Sequence, residues 1–98
     1  MWIETACEAL RKSRVLELQY DGFTRSVEVH AVGYPKTGHA VMRAWLVRGG
    51  SSSGGRSEWK LMRLDEARAA ELSDEASGAP RRRYKRGDPA MSRIVCEL

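Results

Sequence analysis

Arg25, His30, Arg43, Trp45 and Arg63 are the side chains best suited to hold a ligand in the first two thirds of this chain. A guanidinium beside an indole grips in two ways, by paired hydrogen bonds to an anion and by stacking on a planar group. Side chains alternate between faces along an extended chain, which groups Glu28 with His30 and Arg43 with Trp45. Across a hairpin, His30, Arg43 and Trp45 then line one polar-aromatic pocket, with Arg25 and Arg63 at its edge. Such a pocket suits an anion with a planar portion, and nucleotides fit that description. The plainer alternative is a solvated face, with Trp45 partly buried under a helix.

A second group lies toward the C-terminus, in Pro80-Arg81-Arg82-Arg83-Tyr84-Lys85-Arg86. Residues 80–98 hold six Lys/Arg against two acids, and residues 1–79 hold eleven of each, so the whole net charge of +4 sits in this last portion. A local cluster attracts phosphates better than the same charge spread out. Tyr84, set among Arg81, Arg82, Arg83, Lys85 and Arg86, adds a ring on which an unpaired base can stack, a combination suited to single-stranded nucleic acid. A solubilising or partner-docking tail is the alternative. Arg86-Gly87-Asp88 matches a cell-adhesion tripeptide, which we take as chance.

Nothing in the pattern points to catalysis, a metal or a cofactor. His30 and His39 are the only histidines, with no Ser/His/Asp or Cys/His spacing around them. Asp65 and Glu66 are adjacent, so on a strand they point apart. Gly49-Gly50 and Gly54-Gly55 lack the Lys-Ser/Thr of a phosphate loop. Cys7 and Cys96 form no metal spacing. A disulfide between them is open, but two buried thiols suit the cytoplasm expected of a chain without a signal peptide or an 18-residue apolar run.

The elements that must position these groups are short. Ninety-eight residues make one domain, 1–98. Trp2, Ile3, Ala6, Cys7 and Leu10 mark an amphipathic helix within 1–13, laying Ile3, Cys7 and Leu10 on a sheet. Four strands follow between 15 and 64, over 15–20, 25–34, 40–47 and 58–64, with Asp21-Gly22 as a hairpin turn and Pro35–Gly38 as a second turn. In the second strand, Val27, Val29 and Ala31 alternate with Glu28, His30 and Val32. Arg48–Arg56 reads as a flexible Gly/Ser loop. Asp65–Leu72 reads as a further strand or a short helix, Ser73–Pro80 as turns, and Ser92–Leu98 as a closing strand inside the basic segment 80–98. The fold class is mainly β with an N-terminal helix, as a small β-barrel or strongly curled antiparallel sheet.

Taken in order, Arg14–Tyr20, Arg25-Ser-Val-Glu-Val-His-Ala-Val-Gly33, Gly38–Trp45 and Trp59-Lys-Leu-Met-Arg-Leu-Asp65 resemble a WYL domain, a bacterial regulatory module. The resemblance runs from about Ile3 to Ala67. The namesake triplet is replaced by Ala40-Val41-Met42, Val29 stands where the family has Pro, and Glu66 stands where it has a basic ligand contact. The resemblance implies an SH3-like or Sm-like barrel in a stand-alone form that senses a ligand or nucleic acid in transcription control or phage defence. The expected partner is a nucleotide-like ligand or nucleic acid. The competing expectation is an interaction module that docks a protein partner, or a second copy as a homodimer, through strand edges and the basic tail.

Overall fold

The computed structural model describes residues 2–49 and 58–98. Within them, α1 (Ile3–Lys12) precedes β1 (Arg14–Tyr20), β2 (Phe23–Tyr34), β3 (Val41–Gly49), β4 (Trp59–Arg63), β5 (Ala67–Ala76) and β6 (Arg93–Glu97), with a 3-10 turn at Leu64–Glu66. The protein is mainly β with an N-terminal helix, and these strands pair antiparallel. Most of the Gly/Ser loop expected at Arg48–Arg56 lies outside the described residues.

Helix α1 carries Glu4 in its first turn and Arg11 and Lys12 in its last, an order that complements the helix dipole. Ser13, at φ 55°, ends it by turning its N–H onto the Ala9 and Leu10 carbonyls. The buried stripe is Ala6, Cys7, Ala9 and Leu10, with Ile3 at the margin. Asp21 and Gly22 both take positive φ (54° and 79°), the two-residue turn whose twist matches a hairpin, and so join β1 to β2.

Strand β2 organises the sheet. Its neighbour along one edge is β3; along the other it pairs with β1 at Phe23–Val27 and with β6 at Ala31–Tyr34. The strand path runs β4-β3-β2-β1-β5, with β6 joined to β2 alone, so β6 does not close the sheet into a ring. Gly33 allows β6 this close, because a Cβ there would collide with the Arg93 carbonyl oxygen.

Val29 lies opposite Ala44 and Ala31 opposite Arg43, which leaves His30 as a bulge residue. The bulge corrects the simple alternation. Val27 and Val29 face α1, but beyond the bulge it is Val32 that joins this core, while Ala31 turns to Val41 and Met91. The segment after β4 is also settled. Ala67, Ala69 and Ala70 favour a helix in isolation, yet pairing of Leu72, Glu71 and Ala70 with Leu16, Glu17 and Leu18 makes it strand. That strand runs to Ala76 and replaces the first part of the turns expected at Ser73–Pro80.

Cys7 and Cys96 are joined in a disulfide, with Cα atoms 6.0 Å apart, rather than held as two thiols. The reason is topological: α1 packs on the core side of the sheet just where β6 runs beside β2, so the two buried cysteines meet. No helix among the described residues is long and apolar enough to cross a membrane.

The bond closes a loop spanning 89 positions. Replacing both cysteines by alanine should therefore cost about 2–5 kcal/mol of stability in urea unfolding. The denatured wild-type chain should show no reactive thiol until it is reduced; two reactive thiols before reduction would contradict the bond.

Candidate functional site

On the face of β2, β3 and β4 turned away from α1, Glu28 lies opposite Trp45, and Trp45 opposite Trp59. His30 and Arg43 complete the group. Alternation along the strands brings these side chains together as expected, but the face is not open. Residues 77–91 fold back across it as a strap, leaving Glu28 2% and His30 0% exposed.

Arg81 makes the main closure. Its Nε and Nη2 donate to Glu28 Oε1 and Oε2 at 2.6 and 3.0 Å, and its backbone N–H donates to His30 Nε2 at 2.9 Å. The same guanidinium lies 5.4 Å from the centre of the Trp45 ring, with that of Arg82 at 5.9 Å. The Gly78 N–H adds a bond to Glu28 Oε2 at 2.6 Å. Trp59 stands edge-on to His30 and Trp45 and donates its indole N–H to the Arg82 carbonyl at 3.2 Å. The Tyr84 ring packs 5.1 Å from that of His30, and its hydroxyl donates to the Leu98 carbonyl at 3.2 Å. Trp45 is thus covered by the strap's arginines and not by a helix.

The strap leaves a cleft of about 270 Å³ beside it, lined by Arg43, Trp59, Arg83, Tyr84, Lys85, Asp88 and Pro89. Its volume lies just below the roughly 300–1,000 Å³ of small-molecule sites, enough for one compact group. Asp88, 7% exposed, forms one wall and accepts from Arg43 Nε at 2.7 Å and Nη2 at 3.2 Å. Arg83 takes φ 69°, a left-handed conformation that turns the chain sharply between Arg82 and Tyr84. Among the described residues, neither Arg83 nor Lys85 has a carboxylate partner within 4.0 Å, whereas Arg86 turns away to Glu97 at 3.1 Å.

The ionisation states follow from these contacts. Burial opposes a charge on Glu28, but the Arg81 guanidinium and the Gly78 N–H outweigh it and hold the carboxyl below its ordinary 4.5. The Arg43 hydrogen bonds hold Asp88 below its ordinary 3.8 in spite of burial. Burial depresses His30 below 6.5, and the Glu28 carbonyl and carboxylate only partly offset it. His30 Nδ1 lies 2.9 Å from the Glu28 carbonyl oxygen while Nε2 accepts from Arg81. The bonding pattern assigns the hydrogen to Nδ1 of a neutral ring.

Two of the sequence-predicted residues lie elsewhere. Arg25 pairs with Leu18 and so sits on the opposite, core face, 5% exposed, against the Tyr20 and Phe23 rings at 5.0 and 5.7 Å. Its Nε has no partner among the described residues, and the nearest carboxylate, that of Asp21, is 3.9 Å away. Arg63 folds its guanidinium onto Asp65 at 2.6 Å and Glu66 at 3.4 Å, beyond the cleft. Conversely, Asp88 and Pro89 were not foreseen, and Trp59 reads from the sequence more readily as core. The signal for Asp88 was its place as the one acid among the six cations of residues 81–93, which marks a counter-ion more than an adhesion tripeptide.

No protein-family model, curated protein or solved structure matches this chain.

The strap should be acid-sensitive. A base whose pKa burial holds below the ordinary 6.5 contributes its full stability to the folded form above that value, and the contribution is lost as pH falls below it. Protonation would set a second N–H against the Arg81 amide; the other charged or polar groups facing the ring are Glu28, Tyr84 and Trp59. Tryptophan fluorescence followed against pH should show the strap loosening below 6.5 in the wild type. The step should disappear in His30→Gln, whatever that variant's baseline stability.

Proposed function

We propose that the chain is a WYL-like binding module that recognises an anionic ligand with a planar portion, a nucleotide or single-stranded nucleic acid, and thereby modulates a transcription or defence partner. The observation that carries this reading is the cleft beside the strap. There Arg83 and Lys85 face solvent without carboxylate partners among the described residues, next to the Trp59 and Tyr84 rings. Cations select the phosphate and the rings offer a stacking surface for the base, the division of labour found wherever unpaired bases are bound. The module is a binder without a catalytic step. Closure of its sheet as an SH3-like or Sm-like barrel, as the resemblance implies, belongs to the same proposal. Work with transcription or defence partners places it in the cytoplasm. There the Cys7–Cys96 bond would be protected by burial, since exchange needs an accessible sulfur.

A second reading is favoured by the open strand path, which among the described residues ends at β4 on one side and β5 on the other. Unpaired edges accept another strand, so a protein partner or a second copy could dock there.

Fluorescence anisotropy with short single-stranded oligonucleotides and with nucleotides, at two salt concentrations, decides between the readings. The wild type should bind with an affinity that falls steeply with salt. The double variant Arg83→Ala/Lys85→Ala should bind roughly tenfold or more weakly and lose part of the salt slope. Unchanged affinity in that variant would remove the cleft from the reading. An obligate oligomer indifferent to these ligands would favour docking at the strand edges.

A further inference from the structure

The cleft already contains an anion supplied by the chain itself. Asp88 engages Arg43 through Nε and Nη2 together, the side-on fork that a phosphate uses when arginine binds it bidentately. The pair is partly desolvated, with the Asp88 side chain 7% and the Arg43 side chain 29% exposed. Asp88 also closes its own local turn. Its Oδ1 accepts the Ala90 N–H at 2.9 Å and its carbonyl accepts the Met91 N–H at 3.0 Å. The carboxylate is therefore tethered in place at high effective concentration, beside Arg83 and Lys85, the two cleft cations with no such partner among the described residues.

We infer that Asp88 is a built-in competitor for Arg43, and that the cleft is tuned for a terminal phosphate, the phosphomonoester end of a nucleotide or strand, over an internal phosphodiester. The inference rests on the reading of the cleft as an anion site and adds which anion it takes and what restrains it.

The reason is one of charge. An internal phosphodiester carries a single negative charge, no more than the carboxylate it would have to displace, and it lacks the advantage of a tether. It is left with Arg83 and Lys85. A phosphomonoester carries between one and a half and two negative charges at neutral pH, with three strong acceptor oxygens. It can take the Arg43 fork from Asp88 while its remaining oxygens meet Arg83 and Lys85, and Trp59 and Tyr84 flank the attached base. The displaced carboxylate turns toward solvent, and the cleft then matches three cations to a near-dianion.

The test uses two short single-stranded oligothymidylates that differ only in a 5′-phosphate or a free 5′-hydroxyl, with inorganic phosphate as competitor. Wild-type protein should bind the phosphorylated strand about tenfold more tightly, the worth of the added charge-assisted bonds. Asp88→Asn keeps an oxygen for the Ala90 N–H but removes the charge. It should tighten binding of the hydroxyl strand by about tenfold and so narrow the preference. A variant that binds either strand no better than wild type would overturn the competitor role. Equal, salt-dependent binding of both strands by the wild type would leave the anion-site reading standing and sink the terminal-phosphate preference. Absence of binding by either protein would end both. A measurement on the unmodified chain guards against misfolding of the variant. The NMR resonance of the Arg43 Nε–H should move on titration with the phosphorylated strand and stay in place with the hydroxyl strand. Equal movement, or none, would contradict the inference.

Discussion

A carboxylate buried in the middle of a β-sheet must be answered by hydrogen bonds, and Glu28 is the residue around which the rest of this molecule is arranged. At 2% exposure it would leave the chain with an uncompensated buried charge if it stood alone. Breaking such a pair costs about 3–5 kcal/mol when both partners are buried. The lower end applies here, because the Arg81 side chain remains 37% exposed. No neighbouring strand supplies the partners. They come from Gly78 and Arg81, 50 and 53 positions away, so satisfying one acid on β2 obliges the C-terminal segment to cross the face of the sheet. His30, the bulge residue two positions further on, fixes the crossing by accepting the Arg81 N–H.

The far end of the strap is anchored by a different chain of contacts. Glu97 on β6 receives Arg86 and the Gly87 N–H, and the Leu98 carbonyl receives the Tyr84 hydroxyl. Strand β6 in turn is held by β2 and by the Cys7–Cys96 bond to α1. Helix, disulfide, last strand and strap thus form one mechanical series. The helix never touches the cleft, but it supports the strand from which the cleft wall hangs. This division explains why the two cleft cations without a carboxylate partner among the described residues, Arg83 and Lys85, lie between the two anchors, Arg81, which is bound to β2, and Arg86, which is bound to β6.

Much of the frame was legible in the amino-acid order because it depends on local rules. The acid-to-base gradient of α1, the Asp21-Gly22 turn and the alternation along β1, β3 and β4 each need only a few neighbouring residues. That is why His30, Arg43 and Trp45 could be placed on one face. The rest depends on contacts that no local rule encodes. The bulge at His30, which reverses Ala31 and Val32, comes from pairing with β3. The strand character of Ala67–Ala70 comes from β1. The basic run looked like a free tail because its partners, Glu28 and the two indoles, are distant in sequence, and Asp88 was hidden as one acid among cations. Arg25 was a different kind of miss. Its odd position sets it with Val27 and Val29, so the alternation that grouped Glu28 with His30 already placed it on the other side.

The most direct test of this account is amide hydrogen exchange at Gly78 and Arg81, whose N–H groups are spent on the Glu28 carboxylate and on His30 Nε2. Near neutral pH both should be protected well above the exposed residues Arg83 and Lys85, approaching the amides of β2. Exchange at unprotected rates at Gly78 and Arg81, with β2 still protected, would show that the strap does not close on Glu28 and would remove the basis of the cleft.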